Sequence, residues 1–137
     1  MIDDIVKRNI DEGYVSSSAK GIDDLKKVCE VSGSLAYCLL IDDIPIAAAG
    51  IINIGWKRGE AWFLTSALFY KHVKTSYKVI KQMLPGIAKM GGFKRVQASS
   101  YNGGGLLKHL GFVLETPDGM KCFGPSGETA MMFSRLF

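Results

Sequence analysis

Residues 60–112, EAWFLTSALFYKHVKTSYKVIKQMLPGIAKMGGFKRVQASSYNGGGLLKHLGF, set the architecture that we expect for this chain. The apolar run at residues 62–69 is too short to span a membrane, so it predicts a buried strand. Apolar side chains then recur every three or four residues over 73–87, which predicts an amphipathic helix. Residues 93–101 alternate in polarity as a second strand does. A strand, a helix and a strand in this order form a βαβ crossover with parallel strands.

The predicted helix carries lysines on one face, and the surrounding segment is strongly basic. Pro85 has no amide proton to donate, so we expect a kink or a restart of the helix there. The first 43 residues hold nine of the thirteen carboxylates, whereas residues 61–114 hold eight basic residues and no acidic one. This asymmetry predicts a basic half that attracts anions. The basic residues of that segment are Lys71, Lys74, Lys78, Lys81, Lys89, Lys94, Arg95 and Lys108.

The rest of the chain predicts hairpins around the crossover. Two apolar runs, residues 35–41 and 44–54, flank Asp42-Asp43, which is typical of a two-residue hairpin turn. A helix is predicted over 22–31 and a turn over 55–59. Further strands are predicted at residues 113–116, 120–123 and 130–137, with turns at 117–119 and 124–127. The result is an α+β fold: a mixed, mostly antiparallel sheet with a central βαβ crossover and helices on both faces.

Composition indicates one soluble domain over residues 1–137. The chain is 47% apolar and 22% charged, which is ordinary for a globular protein. Its N-terminus, MIDDIVKRNIDEG, is charged throughout and resembles neither a secretory signal nor a membrane anchor, so we expect a cytoplasmic protein. Three cysteines without ligand spacing and two distant histidines predict no metal site.

Three short motifs give the chain a resemblance to a known superfamily. Leu110-Gly111-Phe112 after the crossover is similar to the corner that follows the βαβ core of the GCN5-related N-acetyltransferase (GNAT) superfamily. Residues 62–66 before the lysine-rich helix, and Gly124-Pro125-Ser126-Gly127 before the last strand, resemble its small phage-encoded branch. That branch includes GNAT-like proteins of tailed phages and the small internal virion protein of T7-like phages. The similarity spans residues 36–136.

The resemblance implies transfer of an acetyl group from acetyl-CoA to an amine. Attack by a neutral amine on a thioester needs a base for the ammonium and donors for the oxyanion. Glu60 is the expected base, because it is the only carboxylate between Asp43 and Glu115 and opens the apolar part of its strand. Tyr101 is the expected general acid, with His109 as the other nearby group that can donate a proton.

The resemblance also places acetyl-CoA against the end of the first strand and the start of the helix. The backbone amides of Leu64 and Thr65 are expected to bond pantetheine and the thioester oxygen. The helix start, residues 70–76, contains no glycine. The backbone amides of residues 73–76, with Lys71 and Lys74 beside them, are expected to hold the phosphates without it. The expected cofactor-binding residues are Phe63, Leu64, Thr65, Lys71, His72, Val73, Lys74, Thr75, Ser76 and Asn102.

We therefore expect an acetyl-CoA-dependent N-acyltransferase of phage or prophage type, acting in the host cytoplasm or carried in the virion. Its acceptor amine, on a protein or a small molecule, is not specified by the sequence. Two alternatives stay open. A glycine-free helix start also fits a catalytically inactive GNAT-fold virion or host-interaction protein that binds a phage or host partner. The lysine face fits binding of an anion or a nucleic acid, although no recognition motif accompanies it.

Overall fold

The computed structural model describes residues 30–137, and most of the helix predicted over 22–31 lies outside the described residues. The strands are β1 (Leu35–Ile41), β2 (Ile44–Gly55), β3 (Arg58–Thr65), β4 (Arg95–Ser100), β5 (Val113–Leu114) and β6 (Met131–Leu136). A 3₁₀ helix (Ala67–His72) leads into α1 (Val73–Met90), and α2 (Gly105–His109) follows β4. Within residues 30–137, six strands form one sheet in the order β1-β2-β3-β4-β6-β5.

The sheet is mixed and mostly antiparallel, as predicted. Strand β3 pairs in parallel with β4, whereas the pairs β1/β2, β4/β6 and β5/β6 are antiparallel. The predicted βαβ crossover is therefore confirmed as β3–α1–β4. Two compact units contain the described residues: unit 1 (30–53 and 61–76) and unit 2 (54–60 and 77–137). The single domain expected from the length stays a prediction.

Two-residue turns connect β1 to β2 and β2 to β3. Asp42 and Asp43 have φ of 50° and 62°, the left-handed geometry of a type I′ turn, which aspartate tolerates well. This turn was predicted and is confirmed. The second connection is shorter than the predicted turn over 55–59, because only Trp56 and Lys57 occupy it, with φ of 52° and 58°. Arg58 already belongs to β3.

Strand β3 ends before the apolar run ends, so the strand predicted over 62–69 is wrong after Thr65. The backbone amide of Ser66 donates to the Ile46 carbonyl at 2.8 Å, and a 3₁₀ helix follows. Phe69, on that helix, is buried and packs edge-on against Phe63 with ring centroids 5.3 Å apart. A continuous apolar run buries its side chains equally well from a strand or from a short helix, which is why the sequence pattern did not separate the two.

Helix α1 is one continuous helix that contains Pro85, so it does not restart there, and the kink expected as the other outcome stays a prediction. Its most buried side chains are Ser76, Leu84 and Ala88, spaced by multiples of four along one face. The apolar residues predicted to face the core flank this line, with Leu84 buried and the others partly buried. The lysines of the opposite face are exposed as predicted: Lys71, Lys74, Lys78 and Lys81.

Unit 2 is centred on β4, whose side chains alternate between the core and a polar face. Val96 and Ala98 are 0% and 4% exposed, and Phe133 of β6, paired with Ala98, is 0% exposed. Arg95 and Gln97 point to the opposite face and are half-buried. The strand predicted over 93–101 is therefore confirmed over Arg95–Ser100.

The C-terminal hairpins are shorter than predicted. Only Val113–Leu114 of the predicted strand 113–116 is a strand, and the strand predicted at 120–123 is wrong. Met120 makes an isolated antiparallel bridge to Ala130, and Cys122 sits in a turn with φ of 56°. Turns at both ends of this segment leave too few residues between them to pair as a strand.

Candidate functional site

Glu60 lies on β3 where this strand pairs with β4. It is half-buried, and its partner in the parallel register is Gln97. The side-chain amide Nε2 of Gln97 donates a long hydrogen bond, 3.5 Å, to Glu60 Oε2. The second carboxylate oxygen of Glu60 has no such bond among the described residues.

Gln97 is hydrogen-bonded to Arg95, which forms an ion pair with Glu115. Arg95 Nε donates to Gln97 Oε1 at 3.3 Å, and its two terminal nitrogens donate to the oxygens of Glu115 at 2.7 and 2.5 Å. The Ser134 hydroxyl donates to Glu115 Oε1 at 2.6 Å. The Arg95 guanidinium, followed by the Ser134 hydroxyl, lowers the pKa of Glu115 to about 2. Glu115 consequently stays ionised and holds Arg95 in place.

The predicted pantetheine-binding residues occupy the last part of β3. Leu64 is buried, Phe63 is half-buried against the Phe69 ring, and Thr65 is half-buried. Ser66 follows as the N-cap of the 3₁₀ helix, yet its hydroxyl makes no capping bond. That hydroxyl is buried without a hydrogen-bond partner within residues 30–137.

The predicted phosphate-binding residues span the junction between the 3₁₀ helix and α1. Lys71, Lys74 and Thr75 are exposed, and His72 and Val73 are half-buried. The 3₁₀ helix leads directly into α1, which begins at Val73, the first of the residues predicted to lie at the helix N-terminus. Ser76 is 1% exposed, and in the described part of the chain its hydroxyl has no hydrogen-bond partner.

The residues predicted after β4 lie at the surface of unit 2. Tyr101 is 51% exposed, and its ring lies 6.5 Å from that of Phe123. The backbone amide of Asn102 donates to Ser100 Oγ at 3.2 Å, which closes a local turn. His109, the other candidate acid, is exposed and lies beside the Tyr77 ring at 5.4 Å.

The structure thus distributes the predicted site residues between the two units. Residues 63–76 of the prediction belong to unit 1, whereas Glu60, Tyr101 and Asn102 belong to unit 2. Sequence reasoning did not single out Gln97 or Arg95, although their alternation with buried Val96 places both on the polar face. Within residues 30–137, no three His, Cys, Asp or Glu side chains are grouped to hold a metal. None of the helices in that part is both long and apolar enough to cross a membrane.

Comparison with solved structures identifies the fold as the GNAT acetyltransferase fold. Aminoglycoside 6'-acetyltransferase type Ii superimposes with a TM-score of 0.74 at 9% identity, over 97% of this chain and 85% of that chain. The α-N-protein acetyltransferase RimL in complex with coenzyme A gives 0.73 at 13% identity, over 99% and 86%. An acetyltransferase from Streptococcus agalactiae gives 0.70 at 14%, over 99% and 88%.

The similarity lies in the structure and not in the sequence. No protein-family model matches the chain, and no curated protein is significantly similar to it. At identities of 9–14%, the superpositions establish the fold alone. The predicted GNAT-like fold is therefore confirmed, while the residues of the site must support the activity by their own chemistry.

Proposed function

We propose that this protein is an acetyl-CoA-dependent N-acyltransferase in which Glu60 is the general base. The proposal rests on one observation: a GNAT fold whose β3–α1–β4 unit combines an acid-free, lysine-rich helix with a single oriented carboxylate. The first feature favours binding of the phosphates of acetyl-CoA, and the second can deprotonate an amine.

The residues of unit 1 fit the chemistry of acetyl-CoA. Exposed Lys71 and Lys74 offer cations to its phosphates. The half-buried Phe63, near the end of β3, supplies apolar surface for the pantetheine arm. Bound acetyl-CoA supplies the activated acetyl thioester.

The proton transfers then follow from the residues of unit 2. The Glu60 carboxylate takes one proton from the acceptor ammonium, which leaves a neutral amine and a carboxylic acid. The amine nitrogen attacks the thioester carbonyl carbon, so a C–N bond forms and the C–S bond breaks. The departing thiolate takes up a proton from Tyr101, the tyrosine that follows β4 and the proposed donor. The Tyr101 phenolate then takes the second proton from the nitrogen, which leaves a neutral amide and a neutral tyrosine.

The phage or prophage origin forms part of this proposal and is supported only by the motifs at residues 62–66 and 124–127. A protein of this origin acts in the bacterial cytoplasm or travels in the virion. Its acceptor amine belongs to a phage protein, a host protein or a small molecule. An acetylation assay that compares an aminoglycoside, spermidine and a peptide with a free α-amine separates the small-molecule and protein classes.

Calorimetry with acetyl-CoA tests the proposal. We expect measurable binding that Lys71→Glu weakens about five- to tenfold, because an attractive charge near the phosphates becomes a repulsive one. Lys89→Glu is the matched control, since Lys89 is an exposed lysine in the last turn of α1. It lies roughly 24 Å along the helix from Val73, beyond the screening length of about 8 Å. Absence of binding heat from folded wild-type protein rejects the proposal.

The exposed lysine face favours a second function, binding of an anion or a nucleic acid without catalysis. Five lysines on α1 and the 3₁₀ helix before it are exposed, and residues 61–114 contain no carboxylate to neutralise them. Binding of single-stranded DNA that weakens steeply with added salt, without acetyl-CoA binding, supports this function. Binding of neither ligand supports the third possibility, an inactive GNAT-fold protein that binds a virion or host partner.

A further inference from the structure

Gln97 lies at the centre of a polar row that crosses three strands of unit 2. The register places it opposite Glu60 of β3 and opposite Ser134 of β6. Residues directly opposite on neighbouring strands point to the same face of a sheet. The alternate residues Val96 and Ala98 fill the core on the other face. Glu60, Gln97 and Ser134 therefore share one face, and their polar groups can interact across it.

The chemistry of Arg95 determines the orientation of the Gln97 amide. A guanidinium group has only donors, so the Gln97 atom that it contacts at 3.3 Å must be the carbonyl oxygen. The amide nitrogen must then face the opposite direction, toward Glu60 Oε2. Gln97 is thus held with its positive end toward the carboxylate, and the Arg95 charge polarises it further in the same sense.

Arg95 is itself fixed by Glu115, and Glu115 is held in turn by Ser134. Glu115 accepts a hydrogen bond from each terminal nitrogen of Arg95, in the bidentate geometry that gives the strongest ion pairs. Ser134, 6% exposed, donates its hydroxyl to the same carboxylate. The guanidinium therefore has one preferred orientation, and its Nε points along the strand at Gln97.

We propose that Gln97 is a positioning residue that orients the Glu60 carboxylate for proton transfer, with Arg95 and Glu115 as its support. This inference rests on the proposed function, in which Glu60 is the base. The Gln97 donor occupies one carboxylate oxygen and leaves the other to accept the proton from the acceptor ammonium. An unoriented carboxylate would sample conformations in which neither oxygen faces the acceptor.

A double-mutant cycle tests the positioning role. Gln97→Met keeps the length of the side chain and removes its hydrogen bonds, so we expect kcat/KM for the best amine of the panel to fall about tenfold. Affinity for acetyl-CoA, measured by calorimetry, should stay within about twofold. In the Glu60→Gln background the same change should lower the rate less than about twofold, because its effect acts through Glu60. Gln82→Met, on an exposed position of α1, is the matched control.

A second measurement does not depend on activity. In ¹⁵N-labelled protein, Glu60→Ala should shift the side-chain amide resonances of Gln97 and leave those of Gln82 in place. The positioning role is overturned if the Gln97 resonances do not move, or if Gln97→Met lowers kcat/KM equally in the wild-type and Glu60→Gln backgrounds. Acetyl transfer itself stands in either case. Wild-type protein that transfers no acetyl group to any amine of the panel overturns the proposed function and the catalytic role of Gln97 with it.

Discussion

Substitution of Gly104 by alanine tests how the glycine run after β4 is built into the core. Gly104 has φ of 68° and ψ of 35°, in the left-handed region, and caps the start of α2. A Cβ at this position would overlap the Phe133 ring atoms Cζ and Cε2. Phe133 is fully buried at the centre of β6, so its ring cannot move aside without disturbing the core of unit 2.

The expected magnitude follows from two separate costs. Placing an L-residue in the left-handed region costs about 1–2 kcal/mol, and overpacking a dense core costs about 1–3 kcal/mol. Gly104→Ala should therefore lower the free energy of unfolding by about 2–5 kcal/mol. Gly103 has φ of 79° and open space around its Cβ, so Gly103→Ala should show only the backbone cost. Gly105 has neither constraint, and Gly105→Ala should be neutral or stabilising by up to about 1 kcal/mol.

Urea denaturation followed by circular dichroism measures the three variants under identical conditions. Thermal melts should give the same order, at roughly 3 °C per kcal/mol for a chain of this size. Combining Gly104→Ala with Phe133→Leu separates the clash from the backbone strain, because a smaller side chain removes the overlap. The combined loss should then be smaller than the sum of the single losses. The packing argument would be refuted if Gly103→Ala and Gly104→Ala lost the same free energy of unfolding. Strict additivity of the losses from Gly104→Ala and Phe133→Leu would also refute it.

Two further predictions concern the carboxylates of unit 2. Arg95, followed by Ser134, lowers the pKa of Glu115 from 4.5 to about 2. The ionised Glu115 therefore stabilises the fold above pH 4.5, and this contribution is lost as the pH falls toward 2. In urea titrations, Glu115→Gln should remove that part of the loss of unfolding free energy at low pH. The effect should be about 1 kcal/mol or less, because the side chain is 37% exposed. Identical pH profiles for the variant and the wild type contradict this prediction. Glu60→Gln should slow acetyl transfer about a hundredfold or more and leave acetyl-CoA affinity within about twofold; an unchanged rate removes Glu60 from the mechanism.

Sequence patterns predicted the elements whose physical causes are local. Asp42-Asp43 between two apolar runs specifies a tight hairpin turn, and the periodicity of α1 specifies an amphipathic helix. The end of β3 was missed because burial alone makes residues 62–69 apolar in either conformation. The turn at Trp56 and Lys57 was placed too broadly, because neither residue type is favoured at the positive φ that both adopt.

The candidate site was only partly predictable for a different reason. Glu60 stands out in the sequence because no other carboxylate occurs between Asp43 and Glu115. Its hydrogen-bond donor, Gln97, is on β4, and the Ser134 hydroxyl that donates to Glu115 is on β6. Only the strand register brings these separate segments together. No short motif encodes a register, so the network became visible only in the folded chain.

The orientation of Glu60 bears on the choice between an enzyme and an anion-binding scaffold. Phosphate binding through exposed lysines gains nothing from a carboxylate, since a negative charge close to such a surface weakens its attraction for anions. A general base, in contrast, requires a carboxylate that stays ionised and is held in one orientation until the amine arrives. Gln97 and Arg95 supply that orientation from the same strand, and Glu115 fixes Arg95 in turn. The polar row of unit 2 therefore supports the proposed acetyl transfer over the alternative proposal of simple anion binding.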